Sequence, residues 1–202
     1  MVVEAAGPQL VIDVPAWVDA VTASGQTYRR DEDKMALVIR LAEENVARRA
    51  GGPFAAAVLE IESGRVVAAG VNSVVRQRNS ALHAEMLALM LGQQRVGSFT
   101  LRAPGRPAHE LVTSCEPCAM CLGATLWSGV SRLVIGAERG DAMAVGFDEG
   151  PVFPESYAYL AERGVEAVWG VRRAEAANLL RAYRDGGGFV YNPDAGPPTA
   201  GD

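Results

Sequence analysis

The sequence predicts an α/β protein: a three-layer α/β/α sandwich with a central mixed five-stranded sheet. Two observations carry this expectation. Apolar segments of strand length, rich in Val, Ile and Ala, alternate with segments of helical periodicity over residues 31–185, the pattern of a sheet covered by helices on both faces. The first two strand segments are joined at Ser63-Gly64, a turn that suits an antiparallel hairpin. Later strands are separated by helices and should run parallel through right-handed crossovers.

Residues 1–30 read as an N-terminal extension, interrupted by Pro8, Pro15 and Gly25, that packs on the body or frames a pocket. Asp31 is a plausible cap for a helix in which Met35, Val38, Ile39, Ala42 and Val46 fall on one face, ended by Gly51-Gly52. Strands follow over 54–61 and 66–74, then a helix over 81–93 with His83 and Glu85 in its first turn. A Pro/Gly-rich loop from Arg102 to His109 leads to a short strand at Leu111-Val112-Thr113. Pro117 suits the first position of a helix running to about Trp127. A buried strand is expected over 133–137, a Gly-rich loop with Gly140, Gly146 and Gly150, a helix near 155–162, a fifth strand over 165–171 and a last helix over 175–184. The main domain is thus 31–185, followed by a Gly/Pro-rich tail, 186–202.

Hydrophobic residues make up 49% of the 202 and charged residues 21%, enough apolar material for a packed core. The net charge of −5 argues against a nucleic-acid ligand. Adjacent basic pairs such as Arg29-Arg30 and Arg172-Arg173 read as solvated surface charge. The N-terminus carries no basic region, and no apolar run approaches a membrane span. The three cysteines, Cys115, Cys118 and Cys121, sit in one short stretch, which suits metal ligands or reactive thiols in a reducing compartment. The cytoplasm is the expected location.

Chemistry concentrates in two motifs, His83-Ala84-Glu85 and Pro117-Cys118-Ala119-Met120-Cys121. Cys118 and Cys121 are three apart and share a helix face. A helix N-terminus and a metal both favour the thiolates that zinc binds. With His83 as third ligand, zinc keeps its fourth position for water, the catalytic pattern, and lowers the pKa of that water toward ~7. Glu85 is a spare carboxylate beside it, able to move protons. Zinc deaminases of nucleobases use this set: a His/Cys/Cys site and a Glu that is not a ligand. Three duller readings stand beside it. The match is a coincidence; the site is a closed structural zinc centre with Cys115 as fourth ligand, which leaves Glu85 idle; or the CxxC is a redox pair, which has no use for His83 or Glu85.

At these residues the chain resembles the cytidine deaminase-like superfamily. The stretch from Thr113 to Ala124 is similar to the branch that holds bacterial guanine deaminases and tRNA adenosine deaminases. Gly51-Gly52-Pro53-Phe54, Asn72, Leu126-Trp127 and Gly146-Phe147-Asp148-Glu149 resemble guanine deaminases, including those that also accept ammeline, an amino-s-triazine. The resemblance covers about residues 31–192. It implies that His83, Cys118 and Cys121 hold one Zn2+ per subunit and that Glu85 is the first proton shuttle. It implies further that Phe54, Asn72, Ala84, Trp127 and Asp148 belong to the substrate pocket, that Glu149 binds substrate and acts as a second shuttle, and that Tyr191 closes the pocket, often that of the partner subunit. Two departures affect the rim: Asn79-Ser80-Ala81-Leu82 precedes His83 where relatives have Asp-Pro-Thr-Ala, and Gly-Phe-Asp-Glu replaces Gly-Phe-Asp-Asp. Cys115 is read as a buried thiol.

Simple structural roles remain open for the outer residues. Phe54 and Trp127 suit a core, Asn72 a turn backbone, and Glu149 an exposed acidic loop. His109 is expected to be exposed. The function these readings favour is hydrolytic deamination of a free nucleobase, guanine to xanthine and ammonia, with ammeline as a further substrate. The alternatives are a deaminase of tRNA adenosine, of cytosine or of a nucleoside, and a non-catalytic zinc-stabilised binding module. The family pattern also implies a homodimer with exchanged C-terminal segments.

Overall fold

The structure, a computed structural model, describes residues 10–192 together with Asp194 and Gly196. Residues 1–9 of the extension and the remainder of the tail lie outside the described residues. The strands β1 (Ala55–Glu60), β2 (Val66–Val71), β3 (His109–Cys115), β4 (Arg132–Ala137) and β5 (Glu166–Val168) form one sheet in the order β2-β1-β3-β4-β5. β1 is antiparallel to both β2 and β3, and β3, β4 and β5 are parallel. The expected mixed five-stranded sheet is therefore present, with the change of direction at β1/β3.

Both faces are covered, which is why the strands are apolar throughout. Ala55, Ala57 and Leu59 of β1 point toward α1 (Ala16–Ala23), α2 (Asp31–Ala47) and α8 (Arg173–Asp185). Ala56 and Val58 point toward α4 (Ala84–Val96), α5 (Ala119–Ser128) and α7 (Pro154–Glu162). The alanines of β1 let the helices approach closely. The nearest approach is at Gly70 of β2, where a Cβ would lie 2.3 Å from the Ala84 carbonyl oxygen and 2.7 Å from the Ala88 nitrogen. A glycine there lets the first turn of α4 rest directly on β2.

Several boundaries differ from the sequence expectation. β2 stops at Val71, and Val74–Gln77 form a short helix, α3, before the chain reaches α4. The fifth strand is only Glu166–Val168, because β5 is an edge strand that pairs with β4 alone and Gly170 turns the chain away at φ +70°. A further short helix, α6 (Arg139–Met143), precedes the Gly-rich loop. Part of the extension is helical: α1 lies against β2, with Val18 fully buried.

Asp31 does not cap α2. Arg30 takes the N-cap position, and Asp31 accepts hydrogen bonds from Lys34 Nζ (3.1 Å) and Arg132 Nη1 (2.9 Å). Arg132 also donates to Glu110 Oε2 (2.8 Å), while Lys34 Nζ lies 2.7 Å from Glu110 Oε1, an ion pair out of hydrogen-bond alignment. Glu110 is fully buried and Lys34 nearly so. These four charges tie α2 to β3 and β4 at the end of the sheet where Glu110 pairs in register with Arg132. His109 is buried rather than exposed, because β3 begins at that residue and not two residues later. Its Nδ1 lies 2.9 Å from the Leu101 carbonyl oxygen.

Candidate active site

The metal motifs meet at two helix starts. His83 is the N-cap residue of α4 and Cys118 that of α5, so Pro117 precedes the helix instead of opening it. Cys121 then falls in the first turn of α5. Both motifs place their ligands where unpaired backbone N–H groups and the positive end of the helix dipole favour a thiolate. The ligand atoms of His83, Cys118 and Cys121 all lie within 4.8 Å of one another. His83 Nδ1 is 3.6 Å from Cys118 Sγ. Tetrahedral zinc with its usual bond lengths separates a nitrogen and a sulfur ligand by about 3.6 Å. The donor set, one imidazole and two thiolates, is the one zinc prefers, so the residues present fit the ion.

A hydrogen bond links the two thiols. The Cys118 thiol is pulled down to about 4, chiefly by a hydrogen bond from the Cys121 thiol, while the same bond pushes Cys121 up. Burial works against a charged His83, but the hydrogen bond with Cys118 and the nearby Glu85 raise its pKa overall.

Glu85 sits two residues into the same helix start as His83 and is buried. Burial raises its carboxyl, and the Cys118 thiolate adds to that. Glu149 reaches the cavity from the loop after α6. Burial pushes it up to about 8, with Cys118 and Glu85 contributing. Two carboxyls, both raised by burial, face one metal-competent site, the arrangement expected where protons are moved.

The opposite wall is built around Asn72, at the end of β2. Its amide nitrogen donates to the Phe54 carbonyl (3.0 Å), and its own carbonyl accepts from Asn45 Nδ2 (3.0 Å). Its Oδ1 accepts from the Gly52 N–H (3.3 Å). A Cβ on Gly51 would lie 1.9 Å from the Asn72 carbonyl oxygen, so the Gly51-Gly52 turn must be bare to close against it. The side-chain Nδ2 is thereby aimed into the cavity, where it donates to the Tyr191 hydroxyl at 2.7 Å.

Tyr191 is delivered by its own chain. After α8 the Gly186-Gly187-Gly188 segment turns back, the Gly188 N–H donating to the Tyr183 carbonyl (2.8 Å) and the Tyr183 hydroxyl to the Phe189 carbonyl (2.8 Å). In this single chain the tail lies over the chain's own cavity. The Tyr191 ring packs edge-on against His83 (5.9 Å) and Phe147 (5.6 Å). It divides the site. Inside is a cavity of about 30 Å³, room for a water or two. Outside is a chamber of about 650 Å³, walled in part by Val74, Val75, Arg78, Met120 and Phe189.

The structure brings Phe54, Asn72, His83, Ala84, Glu85, Cys118, Asp148, Glu149 and Tyr191 to the inner cavity. Cys121 is buried behind it as the third metal-competent atom. Trp127 is not there. It is 80% exposed. At 100° per residue it falls half a turn around α5 from Cys118, on the face turned away from the sheet. Three lining residues went unassigned from sequence. Phe147 stacks edge-on with Phe54 (4.8 Å) and was signalled by the Gly-Phe-Asp-Glu segment that contains it. Cys115 lines the inner cavity only, its thiol raised by burial. Glu116 accepts from the Arg139 N–H (2.7 Å) and the Tyr157 hydroxyl (2.9 Å), pinning the loop after β3.

Comparison with known proteins agrees with this geometry. Residues 28–137 match the family model for the cytidine and deoxycytidylate deaminase zinc-binding region. The chain is 35% identical over 147 residues to a guanine deaminase of Bacillus subtilis, covering 73% of this chain and 89% of that protein. It is 32% identical over 158 residues to a tRNA-specific adenosine deaminase of Haemophilus influenzae, 76% of this chain and 82% of that protein. Among solved structures, a guanine deaminase from Nitrosomonas europaea is 44% identical with a TM-score of 0.85, over 88% of this chain and 97% of that one. The protein NE0047 in complex with 2,6-diaminopurine is 44% identical with the same TM-score, over 92% of this chain and 97% of that one.

Proposed function

We propose that this chain, which belongs to the cytidine and deoxycytidylate deaminase zinc-binding family, is a zinc-dependent aminohydrolase that converts free guanine to xanthine and ammonia. The convergence of His83, Cys118 and Cys121 within 4.8 Å, beside the buried Glu85, carries this reading. One zinc per subunit, when bound, supplies a water made acidic enough to act as nucleophile near neutral pH. Glu85 takes a proton from that water and passes it to the ring nitrogen beside the carbon under attack. Asn72 Nδ2 offers a donor to an acceptor on the base once Tyr191 gives up that place. Phe54 and Phe147 flank the ring, and the Ala84 backbone borders it. Glu149, its carboxyl raised by burial, is in position to give a proton to the departing amine and take back the one the added hydroxyl loses as the carbonyl forms, and Asp148 lines the same wall.

With Tyr191 in place the inner cavity has room for a water or two, so the tail must shift to admit any base. The structural relatives bound to 8-azaguanine and 2,6-diaminopurine support an amino-purine ligand. Ammeline, a smaller amino-heterocycle with the same donor pattern, belongs to the same proposal. The net charge of −5 disfavours tRNA. Exposed Met120, Trp127, Phe153 and Tyr159 on α5, α7 and the segment leading into α7 support a homodimer through that face, with Trp127 serving the interface. Light scattering at micromolar concentration tests it, and a monomer would contradict it. Three free, buried cysteines support a cytoplasmic location. No helix among the described residues is long and apolar enough to cross a membrane.

The decisive experiment measures ammonia release by zinc-loaded protein from guanine, ammeline, guanosine, adenine and cytosine, with Glu85→Ala as control. Guanine is expected to lead, and the variant to lose at least a hundredfold with zinc retained. Activity on guanosine without guanine, or an unaffected Glu85→Ala, would overturn the proposal.

A further inference from the structure

Between the end of β2 and the start of α4 the chain makes a short excursion, residues 73–82, that carries α3. It joins Asn72, at the base-binding wall, to His83, at the metal. Its ends are tied together by the Ser73 N–H donating to the Leu82 carbonyl (3.0 Å). Val74, Val75, Arg78, Asn79 and Ser80 form one wall of the outer chamber. The excursion packs little of its own apolar surface. Val74 and Leu82 are its buried hydrophobic residues, and Arg78 takes a left-handed conformation at φ 52°. Something outside must hold it.

The N-terminal segment does so through one residue. The Asp13 N–H donates to Gln77 Oε1 (2.8 Å), and Gln77 Nε2 donates back to the Asp13 carbonyl (2.9 Å). Arg76 Nη2 donates to the same carbonyl (2.8 Å), and Arg76 Nη1 pairs with the Asp13 carboxylate. Arg76 Nη2 also reaches Ser73 Oγ (3.1 Å), which in turn donates to the Val71 carbonyl (3.1 Å). The clasp therefore runs from Asp13 through Arg76 to Ser73, the neighbour of Asn72. On its far side the segment is anchored to the body by the buried Val18, by Arg48 over the Trp17 ring (5.3 Å) and by an Arg95–Asp19 ion pair.

We propose that Asp13, Arg76 and Gln77 are positioning residues: through them the N-terminal extension sets the 73–82 wall and the aim of Asn72, and so governs capture of the base. This rests on the deaminase reading for its kinetic consequence, but the clasp itself stands apart from it. None of the three residues lines the inner cavity. Their loss should weaken substrate binding and leave the proton-transfer step nearly untouched.

The test uses the full-length zinc-loaded protein and the variants Asp13→Ala and Arg76→Ala, with the charge-swapped double variant Asp13→Arg/Arg76→Asp as rescue. Two readouts are taken. Amide hydrogen exchange, measured without substrate, should accelerate about tenfold over residues 73–82 in each single variant and elsewhere only over the N-terminal segment. KM for guanine should rise about fivefold, with kcat within twofold, and the swap should recover part of both. Unchanged exchange over 73–82 in both single variants would overturn the clasp, whether or not the protein acts on guanine. Accelerated exchange with unchanged KM, or with kcat falling as much as KM rises, would overturn the positioning role. Wild-type protein inert on every base while exchange responds as expected would count against the deaminase reading and leave the clasp standing.

Discussion

Gly70→Ala is the sharpest perturbation of the proposed site made from outside it. A methyl at Gly70 would lie 2.3 Å from the Ala84 carbonyl oxygen, 2.7 Å from the Ala88 nitrogen and 2.9 Å from the Leu87 Cβ. Two of these neighbours are backbone and the third is fixed to it, so no side-chain rotation relieves the contact. The first turn of α4 must withdraw by about 1 Å to restore ordinary van der Waals separation. That turn carries Glu85 and follows directly on His83, whereas Cys118 and Cys121 sit on α5 and stay behind. Overpacking of this kind costs about 1–3 kcal/mol, which for a chain of this size lowers Tm by roughly 2–12 °C. The effect on chemistry should be larger in proportion, since a displacement of about 1 Å at reacting groups can cost 10²-fold. The assay is kcat for ammonia release, with zinc content by metal analysis and Tm by calorimetry. Gly140→Ala serves as control, because nothing lies within 4 Å of a Cβ built there. Gly70→Ala protein with wild-type kcat and Tm would refute the reasoning that backbone contact between β2 and α4 fixes the catalytic half.

Glu149→Gln keeps the shape of the loop but cannot carry a proton; kcat should fall about 10²-fold with zinc retained, and a loss under threefold would remove it from the proton relay. Tyr191→Phe deletes the hydroxyl that Asn72 meets at 2.7 Å. A bond of about 1 kcal/mol is lost from the closed tail, so alkylation of Cys115, followed by mass spectrometry, should quicken about fivefold; an unchanged rate would mean the tail does not guard that thiol. Asp31, pulled down to about 2 chiefly by its hydrogen bond from Arg132, has a depressed folded-state pKa. Its contribution is complete above the unfolded value near ~4 and is lost as pH falls through about 2. After allowance for its partial exposure this is worth about 1 kcal/mol. Asp31→Asn should therefore be less stable than wild type in urea at pH 6 and nearly equal to it at pH 2, and an equal gap at both pH values would be evidence against the assignment.

The metal-competent residues were legible in sequence because their chemistry admits few substitutes. One imidazole, two thiols three apart and a spare carboxylate have little else to do together. The alternation of apolar and helical segments likewise yielded the sheet and its mixed direction. The failures have physical causes. Trp127 follows Leu126 in the chain, but helical rotation turns it to solvent, and the sequence does not show which face of α5 meets the sheet. His109 ends a Pro/Gly-rich loop yet is buried, because β3 starts there and pairs with β1 at Glu60. Asp31 has the composition of a cap, but Arg132, far along the chain, claims its carboxylate. The Asp13 clasp was invisible for the same reason: both partners look like surface charges until the fold brings them together.

The two halves of the site are built to different tolerances, and this bears on how the chain's relatives diverge. Where the proposed chemistry takes place, bare glycines bring main chain against main chain, and there is no slack into which a new side chain might grow. Where the base would be admitted, the closing group is a single aromatic ring on irregular backbone. Substitution is punished on the first side and absorbed on the second. One hydrolytic apparatus can then be handed from one amino-heterocycle to another by rewriting a tail, so relatives are expected to vary most in residues 186–192 while the glycines at 51 and 70 stay fixed.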